Sequence, residues 1–274
     1  MAELLGRTRA AGGLSHPGGT QWWLRDLGVE RAEFDVYVWD DGSRIAGFAL
    51  VDRAFYLVEA LEDGPTTSEQ LDWLEGQMRD VGRASLRTDV AEDGPTRSLL
   101  EARGYTQVGT ALELIADTSS EPARATLPEG YRSASLLDVD DDAYIEGHRA
   151  AWSDDRPSPY RRELHDAVKA MPQFRADLVT IALAPDGTVA ASCIGWLDER
   201  SQTLEIEPLG THRDHRRLGL AHAVVKEVQH RAWANGARHV LVWNDPATNP
   251  AAYRLYTGAD MPPRRTLVEL EKGL

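Results

Sequence analysis

Short apolar runs broken by turn signals recur at matching places in the two halves of the chain. Val36-Tyr37-Val38-Trp39 is followed by Asp40-Asp41-Gly42 and then by Ile45-Ala46-Gly47-Phe48-Ala49-Leu50-Val51. That pattern predicts strand, tight turn, strand, because the glycine of an Asp-Gly pair supplies the positive φ that a short hairpin needs. The figure returns at Leu178 to Leu183, Asp186-Gly187 and Val189 to Trp196. A further short apolar run follows each hairpin, Phe55 to Val58 and Leu204 to Ile206. Helical spacing comes next in both places: Leu71, Leu74 and Met78 within Ser68 to Val81, and Leu220, Val224, Val228 and Trp233 within Gly219 to Trp233. Each helix leads to another strand (Ala84 to Val90, His239 to Trp243) and another helix (Thr96 to Arg103, Pro250 to Tyr256). The same order of elements twice over describes two copies of one α/β unit. Residues 117–130, DTSSEPARATLPEG, have no apolar period and read as a linker, so the expected units are 1–120 and 128–274.

The sharpest local feature is the run from Glu207 through Pro208-Leu209-Gly210-Thr211-His212-Arg213-Asp214-His215-Arg216-Arg217-Leu218-Gly219-Leu220 to Ala221. A strand ends near Leu209, a basic loop follows, and a helix opens at Gly219. Gly219 and Ala221 have almost no side chain, so a ligand can come close to the backbone. The loop amides and the free N–H groups of the first helical turn make an anion site suited to a diphosphate.

Arg216-x-x-Gly219-x-Ala221 resembles the R/Q-x-x-G-x-G/A motif of the GNAT superfamily of N-acetyltransferases, and Asn249-Pro250-Ala251-Ala252-Tyr253-Arg254-Leu255-Tyr256 resembles that family's N-x-x-A-x-x-L-Y helix. The resemblance implies an α/β (α+β) fold of two tandem GNAT-like domains, each a mixed, mostly antiparallel sheet flanked by helices. It implies acetyl-CoA as co-substrate, held by Leu209, Gly210, Thr211, Arg216, Arg217, Leu218, Gly219, Leu220, Ala221 and Asn249, with Tyr256 as the general acid. The usual ending Y-x-x-x-G-F is replaced by Tyr256-Thr257-Gly258-Ala259-Asp260-Met261, which leads us to expect a different turn after this helix. In the first half the place of the phosphate loop, Glu59 to Ser68, has no arginine, a single glycine and three carboxylates that repel a diphosphate. Leu100 stands there where the acid Tyr would be. The first half therefore reads as a unit without a cofactor site.

Acetyl transfer to an amine needs a free lone pair, hence a base. Glu205 and Glu207 sit two apart on a strand and face the same way. Glu207, nearer the loop, is the first choice of base and Glu205 the second. Backbone N–H groups near Leu209 to Thr211 are placed to receive charge on the thioester oxygen. His212 and His215 have a suitable intrinsic pKa, but their place inside the loop points to phosphate or solvent contact. Direct transfer needs no nucleophilic residue. Cys193 reads as a small core side chain. Trp152, Asp154, Asp155 and Asp198 are the candidates for acceptor contact, since carboxylates attract an ammonium group. Trp22-Trp23 reads as core or inter-domain packing and not as a ligand platform.

Composition narrows the partners. The 274 residues carry a net charge of −14, which argues against nucleic acid or an anionic membrane. Arg213, Arg216 and Arg217 form a basic island in that acidic chain. One cysteine excludes an internal disulfide and a Cys-rich zinc site, and no His or Cys metal signature appears. The first residues lack the apolar core of a signal peptide, and no run of about 18 apolar residues occurs, so a cytoplasmic protein is expected. The leading expectation is an acetyl-CoA-dependent N-acetyltransferase acting on a small-molecule amine. A CoA- or small-molecule-binding module without turnover, and an enzyme using another acyl-CoA, are the alternatives. The acceptor and the oligomeric state are not encoded in any motif.

Overall fold

The computed structural model describes residues 2–24, 34–40, 42, 45–52, 55–59, 68–80, 82–154 and 156–274. In chain order the elements are α1 (Ala2–Ala10), α2 (Pro17–Trp23), β1 (Phe34–Asp40), β2 (Ile45–Asp52), β3 (Phe55–Glu59), α3 (Ser68–Asp80), β4 (Ser85–Ala91), α4 (Pro95–Ala102), β5 (Thr106–Asp117), β6 (Arg132–Ser135), α5 (Asp141–Ala151), α6 (Arg162–Lys169), β7 (Val179–Leu183), β8 (Val189–Asp198), β9 (Thr203–Thr211), α7 (Leu220–Ala234), β10 (His239–Asn244), α8 (Pro250–Gly258) and β11 (Pro263–Gly273). The series β1-β2-β3-α3-β4-α4-β5 is matched step for step by β7-β8-β9-α7-β10-α8-β11. The doubled order read from the apolar pattern is thus the order of the elements themselves.

All described strands join one 11-stranded sheet in the order β1-β2-β3-β4-β11-β5-β10-β9-β8-β7-β6. Its pairings are antiparallel except β3 with β4 and β9 with β10. Under the correspondence of the two series the order from β1 to β7 reads the same from either end, so the sheet has a pseudo-twofold axis between β11 and β5. The last strand of each series has crossed that axis. β5 pairs with β10 of the second series, and β11 pairs with β4 of the first. Residues 118–131 then carry the chain as coil from mid-sheet to β6 at its edge.

The cores record the same exchange. Val268 and Leu270 of β11 pack with Leu71, Leu74, Met78, Leu86 and Leu100 under α3 and α4. Leu114 and Ala116 of β5 pack with Leu204, Val224, Val228, Tyr256 and Met261 under α7 and α8. On the other face of β7–β9, Trp22 of α2 joins Tyr144, Tyr160, Leu164, Ile194 and Trp196. β7 and β8 are buried along their whole length because both of their faces are covered. No helix among the described residues is long and apolar enough to cross a membrane.

Candidate active site

The site begins where two parallel strands part. β9 and β10 pair from Thr203–Glu205 against His239–Leu241 and no further. On the opposite edge of β9, Cys193 faces Leu209 while Gly195 faces Ile206. Ile194 alone therefore opposes both Glu207 and Pro208, and such a bulge bends the strand that carries it. The result is a gap at the carboxyl ends of β9 and β10, the usual place for a ligand in sheets of this kind. The His212 amide donates to the Ala190 carbonyl at 2.9 Å. Ladder alternation then turns the Leu209 and Thr211 N–H groups away from β8, toward the gap.

Past β9 a 3-10 turn, Arg213–His215, leads into the loop before α7. Arg217 (φ 66°) and Gly219 (φ 78°) both take left-handed backbone. A Cβ on Gly219 would meet nothing within 4 Å, so its φ and not crowding calls for glycine. No side chain caps the first turn of the 15-residue helix α7. Loop amides in such turns together with an uncapped helix start form a concave N–H cradle. Arg213, Arg216 and Arg217 are exposed around it. These residues fit a diphosphate. Leu218 is exposed at the loop, whereas Leu220 is buried and anchors the helix in the core.

Tyr256 lies in α8 with its ring buried. Burial, then the nearby Cys193 and Glu207, pushes its phenol above the usual tyrosine range. Burial and Glu207 raise the Cys193 thiol likewise, so both groups stay protonated. Glu207 itself is half-buried, and its carbonyl accepts from Trp196 Nε1 at 2.6 Å. Asn249 caps α8, its Oδ1 accepting from the Ala252 amide at 3.1 Å.

The turn after Tyr256 corrects the expectation. Asp260 takes the left-handed position (φ 60°), the Met261 amide donates to the Tyr256 carbonyl at 3.0 Å, and Met261 is fully buried. That is a Schellman ending with Asp in the glycine's place and Met in the aromatic's. Lys226, itself buried, holds Asp260 Oδ2 at 3.0 Å. The first series ends α4 the same way, with Gly104 left-handed and the Tyr105 amide on the Leu100 carbonyl at 3.1 Å. Leu100 is a buried core residue there. Residues 60–67, the counterpart of the phosphate loop, lie outside the described residues.

Several expected contacts lie elsewhere. Glu205 is buried beneath α2, where its Oε2 accepts from the Gly19 amide at 2.6 Å and stands 3.3 Å from His16 Nδ1. It caps an incoming helix, and a base needs freer oxygens. Gly18 and Gly19 allow that approach, since a Cβ would stand 2.0 Å from Trp196 Cβ or 2.5 Å from Glu205 Oε2. The signal the sequence reading missed was His16-Pro17-Gly18-Gly19, a helix start with two adjacent glycines. Asp198 accepts from the Ser201 amide at 3.0 Å, at the β8–β9 turn under α1, far from the gap along β9. Asp154 is paired with Arg216 at 2.7 Å. Asp155 lies outside the described residues. Trp152 does reach the site and lies over Gly210. His212 accepts from the Asp214 amide, burial and the His215 charge lowering its pKa, and His215 bonds the Tyr131 hydroxyl at 2.8 Å. Both imidazoles are thus engaged away from the gap. Among the described residues no group of His, Cys, Asp and Glu could hold a metal ion.

A parted sheet, an uncapped helix start and a buried phenol meet at this end of the second series. Residues 142–259 match the model of the Acetyltransferase (GNAT) family. The fold of the whole chain is similar to that of a tandem GNAT protein from the clavulanic acid biosynthesis pathway, at TM-score 0.68 and 14% identity over 99% of this chain and 93% of that one. It is also similar to a GCN5-related N-acetyltransferase from Sphaerobacter thermophilus, at TM-score 0.63 and 20% identity over 99% and 91%. A third likeness is to a GCN5-related N-acetyltransferase from Kribbella flavida, at TM-score 0.61 and 16% identity over 98% and 95%. No curated protein matches the sequence.

Proposed function

We propose that the chain moves an acetyl group from acetyl-CoA to the primary amine of a small molecule by direct attack. The observation that carries this reading is the parting of β9 and β10 next to the uncapped start of α7, with Tyr256 buried in α8. The amide cradle from Arg216 to Ala221 holds the diphosphate. Glu207 takes a proton from the substrate ammonium, directly or through one water. The freed nitrogen forms the C–N bond as the C–S bond breaks. The Leu209 and Thr211 N–H groups receive the negative charge on the carbonyl oxygen. Tyr256 gives its proton to the leaving sulfur and regains one from the new amide nitrogen, which must shed its second proton to become neutral.

Thiol release from acetyl-CoA in the presence of a panel of primary amines tests this directly. Tyr256→Phe is expected to lower kcat about 100-fold or more while leaving CoA affinity within about twofold. CoA binding by the wild type without thiol release for any amine would sink the proposal.

A further inference from the structure

β9 leaves β10 after Leu241, while β5 keeps pairing with the other edge of β10 as far as Asn244, which stands opposite Leu112. Val240 and Val242 pack in the core under α7 and α8, and strand alternation sets Asn244 on that same side. Asn244 thus stands where β10 borders the gap, beside the start of α8. It is only 6% exposed. Its Nδ2 donates to the Asn249 carbonyl at 3.3 Å. A carbonyl only accepts, so this bond decides which end of the side-chain amide is the nitrogen. The other end, Oδ1, is buried and has no hydrogen-bond partner among the described residues. Buried acceptors in folded proteins are nearly always paired, because one left without a donor is unfavourable.

Asn249 complements it. The Asn249 carbonyl also accepts from the Tyr253 amide at 3.2 Å, and its Oδ1 accepts from the Ala252 amide at 3.1 Å. What the exposed Asn249 side chain has left to offer is its Nδ2, a donor. The two asparagines therefore present one acceptor and one donor at the same end of β10. A secondary amide matches them, N–H to the acceptor and C=O to the donor, whereas a phosphate diester or a carboxylic ester has no proton for Oδ1. The pantetheine arm of an acyl-CoA carries two secondary amides between its diphosphate and its sulfur. Resting on the acyl-CoA reading, we propose that Asn244 Oδ1 accepts the N–H of a pantetheine amide whose carbonyl meets Asn249 Nδ2, so that Asn244 makes the site selective for an amide-bearing arm.

The test is calorimetric titration of the full chain with CoA, with a CoA analogue in which both pantetheine amides are esters, and with 3′-phospho-ADP, which lacks the arm. The wild type should bind CoA about tenfold or more tighter than the diester. Asn244→Leu should weaken CoA about tenfold, reduce that ratio to about threefold or less, and leave 3′-phospho-ADP within about twofold. Asn244→Ser, with its oxygen drawn back toward the strand, should give the same pattern and replaces the leucine variant if that one does not fold. A ratio unchanged by substitution, the result expected if a buried water satisfies Oδ1, overturns the assignment. So does equal weakening of CoA and 3′-phospho-ADP, which would make Asn244 only a support for the start of α8, or a wild type that does not distinguish CoA from the diester. Asn244-dependent discrimination without acetylation of any amine upholds the assignment and counts against acetyl transfer instead. A wild type that does not bind CoA overturns both.

Discussion

Arg216 Nη1 stands 2.7 Å from Asp154 Oδ2, while its Nη2 donates to the Ala151 carbonyl at 3.0 Å and its Nε to the Thr211 carbonyl at 3.3 Å. One guanidinium thus ties the end of α5, with Trp152, to the strand that enters the phosphate loop. The exposed ion pair alone is worth about 0–1 kcal/mol, and the two carbonyl bonds add a similar amount. Arg216→Ala is expected to raise the KM of the amine about three- to tenfold and that of acetyl-CoA less. Asp154→Asn, which keeps an oxygen for the guanidinium, should have a smaller effect. Steady-state kinetics in both substrates decides. A rise confined to acetyl-CoA would assign Arg216 to the diphosphate instead.

Glu205 and Glu207 share a face of β9 but differ in surroundings. Glu205 is held by the Gly19 amide, so Glu205→Gln should retain kcat within a few fold and lose about 1–2 kcal/mol of stability. Glu207→Gln should lower kcat about 100-fold, because the amide takes no proton. The acid limb of its pH–rate profile should also vanish. Equal losses for the two variants would refute this division.

How much of this was legible in the sequence depends on how local each feature is. The loop before α7 and the helix bearing Tyr256 could be read because each spacing lies within one strand-loop-helix step. The clamp of α2 on Glu205 joins residues 186 apart, and no periodicity reports such a contact. Apolar alternation likewise shows that β5 and β11 are strands but not which strands they join. The turn after Tyr256 was misjudged for another reason. The motif names a glycine, but the backbone requires only a left-handed residue, and Asp260 meets that need with help from Lys226.

Met261 fills the aromatic's place with no exposed surface. Met261→Ala should cost about 2–4 kcal/mol, a fall in Tm of about 5–10 °C in a chain of this size. The same change should lower kcat, since the ending of α8 fixes the Tyr256 helix. Differential scanning calorimetry and thiol release measure the two effects. A stability loss below about 1 kcal/mol would show that the turn is not packed as described.

Asp89 on β4 stands directly opposite Glu269 on β11. Burial, and then the Glu269 charge, pushes the Asp89 carboxyl up to about 6. In the unfolded chain this proton leaves at about 4. The folded state thus holds the proton to higher pH. Stability from this group is full below the unfolded value and is lost as pH rises through the folded one. Asp89→Asn should therefore stabilise the protein by about 1–2 kcal/mol at pH 7 and flatten the pH dependence between about 4 and 6. Urea midpoints across that range check it. A destabilised variant at pH 7 would contradict the reading.

The exchanged strands make a prediction about cutting the chain within residues 117–130. A fragment of residues 1–120 would leave β4 without β11, an open sheet edge and a core lacking Val268 and Leu270. A fragment of residues 128–274 would leave β10 without β5 and lose Leu114, Ala116 and Trp22 from its two cores. Unpaired edges beside missing apolar side chains favour aggregation or pairing with a second copy. Neither fragment alone should unfold cooperatively as a monomer. Produced together, they should associate and regain CoA binding, because each supplies the strand the other lacks. Size-exclusion chromatography, thermal unfolding and CoA titration measure these outcomes. A monomeric, cooperatively folded 128–274 fragment that binds acetyl-CoA would show that the exchanged strand is dispensable to the half bearing the site.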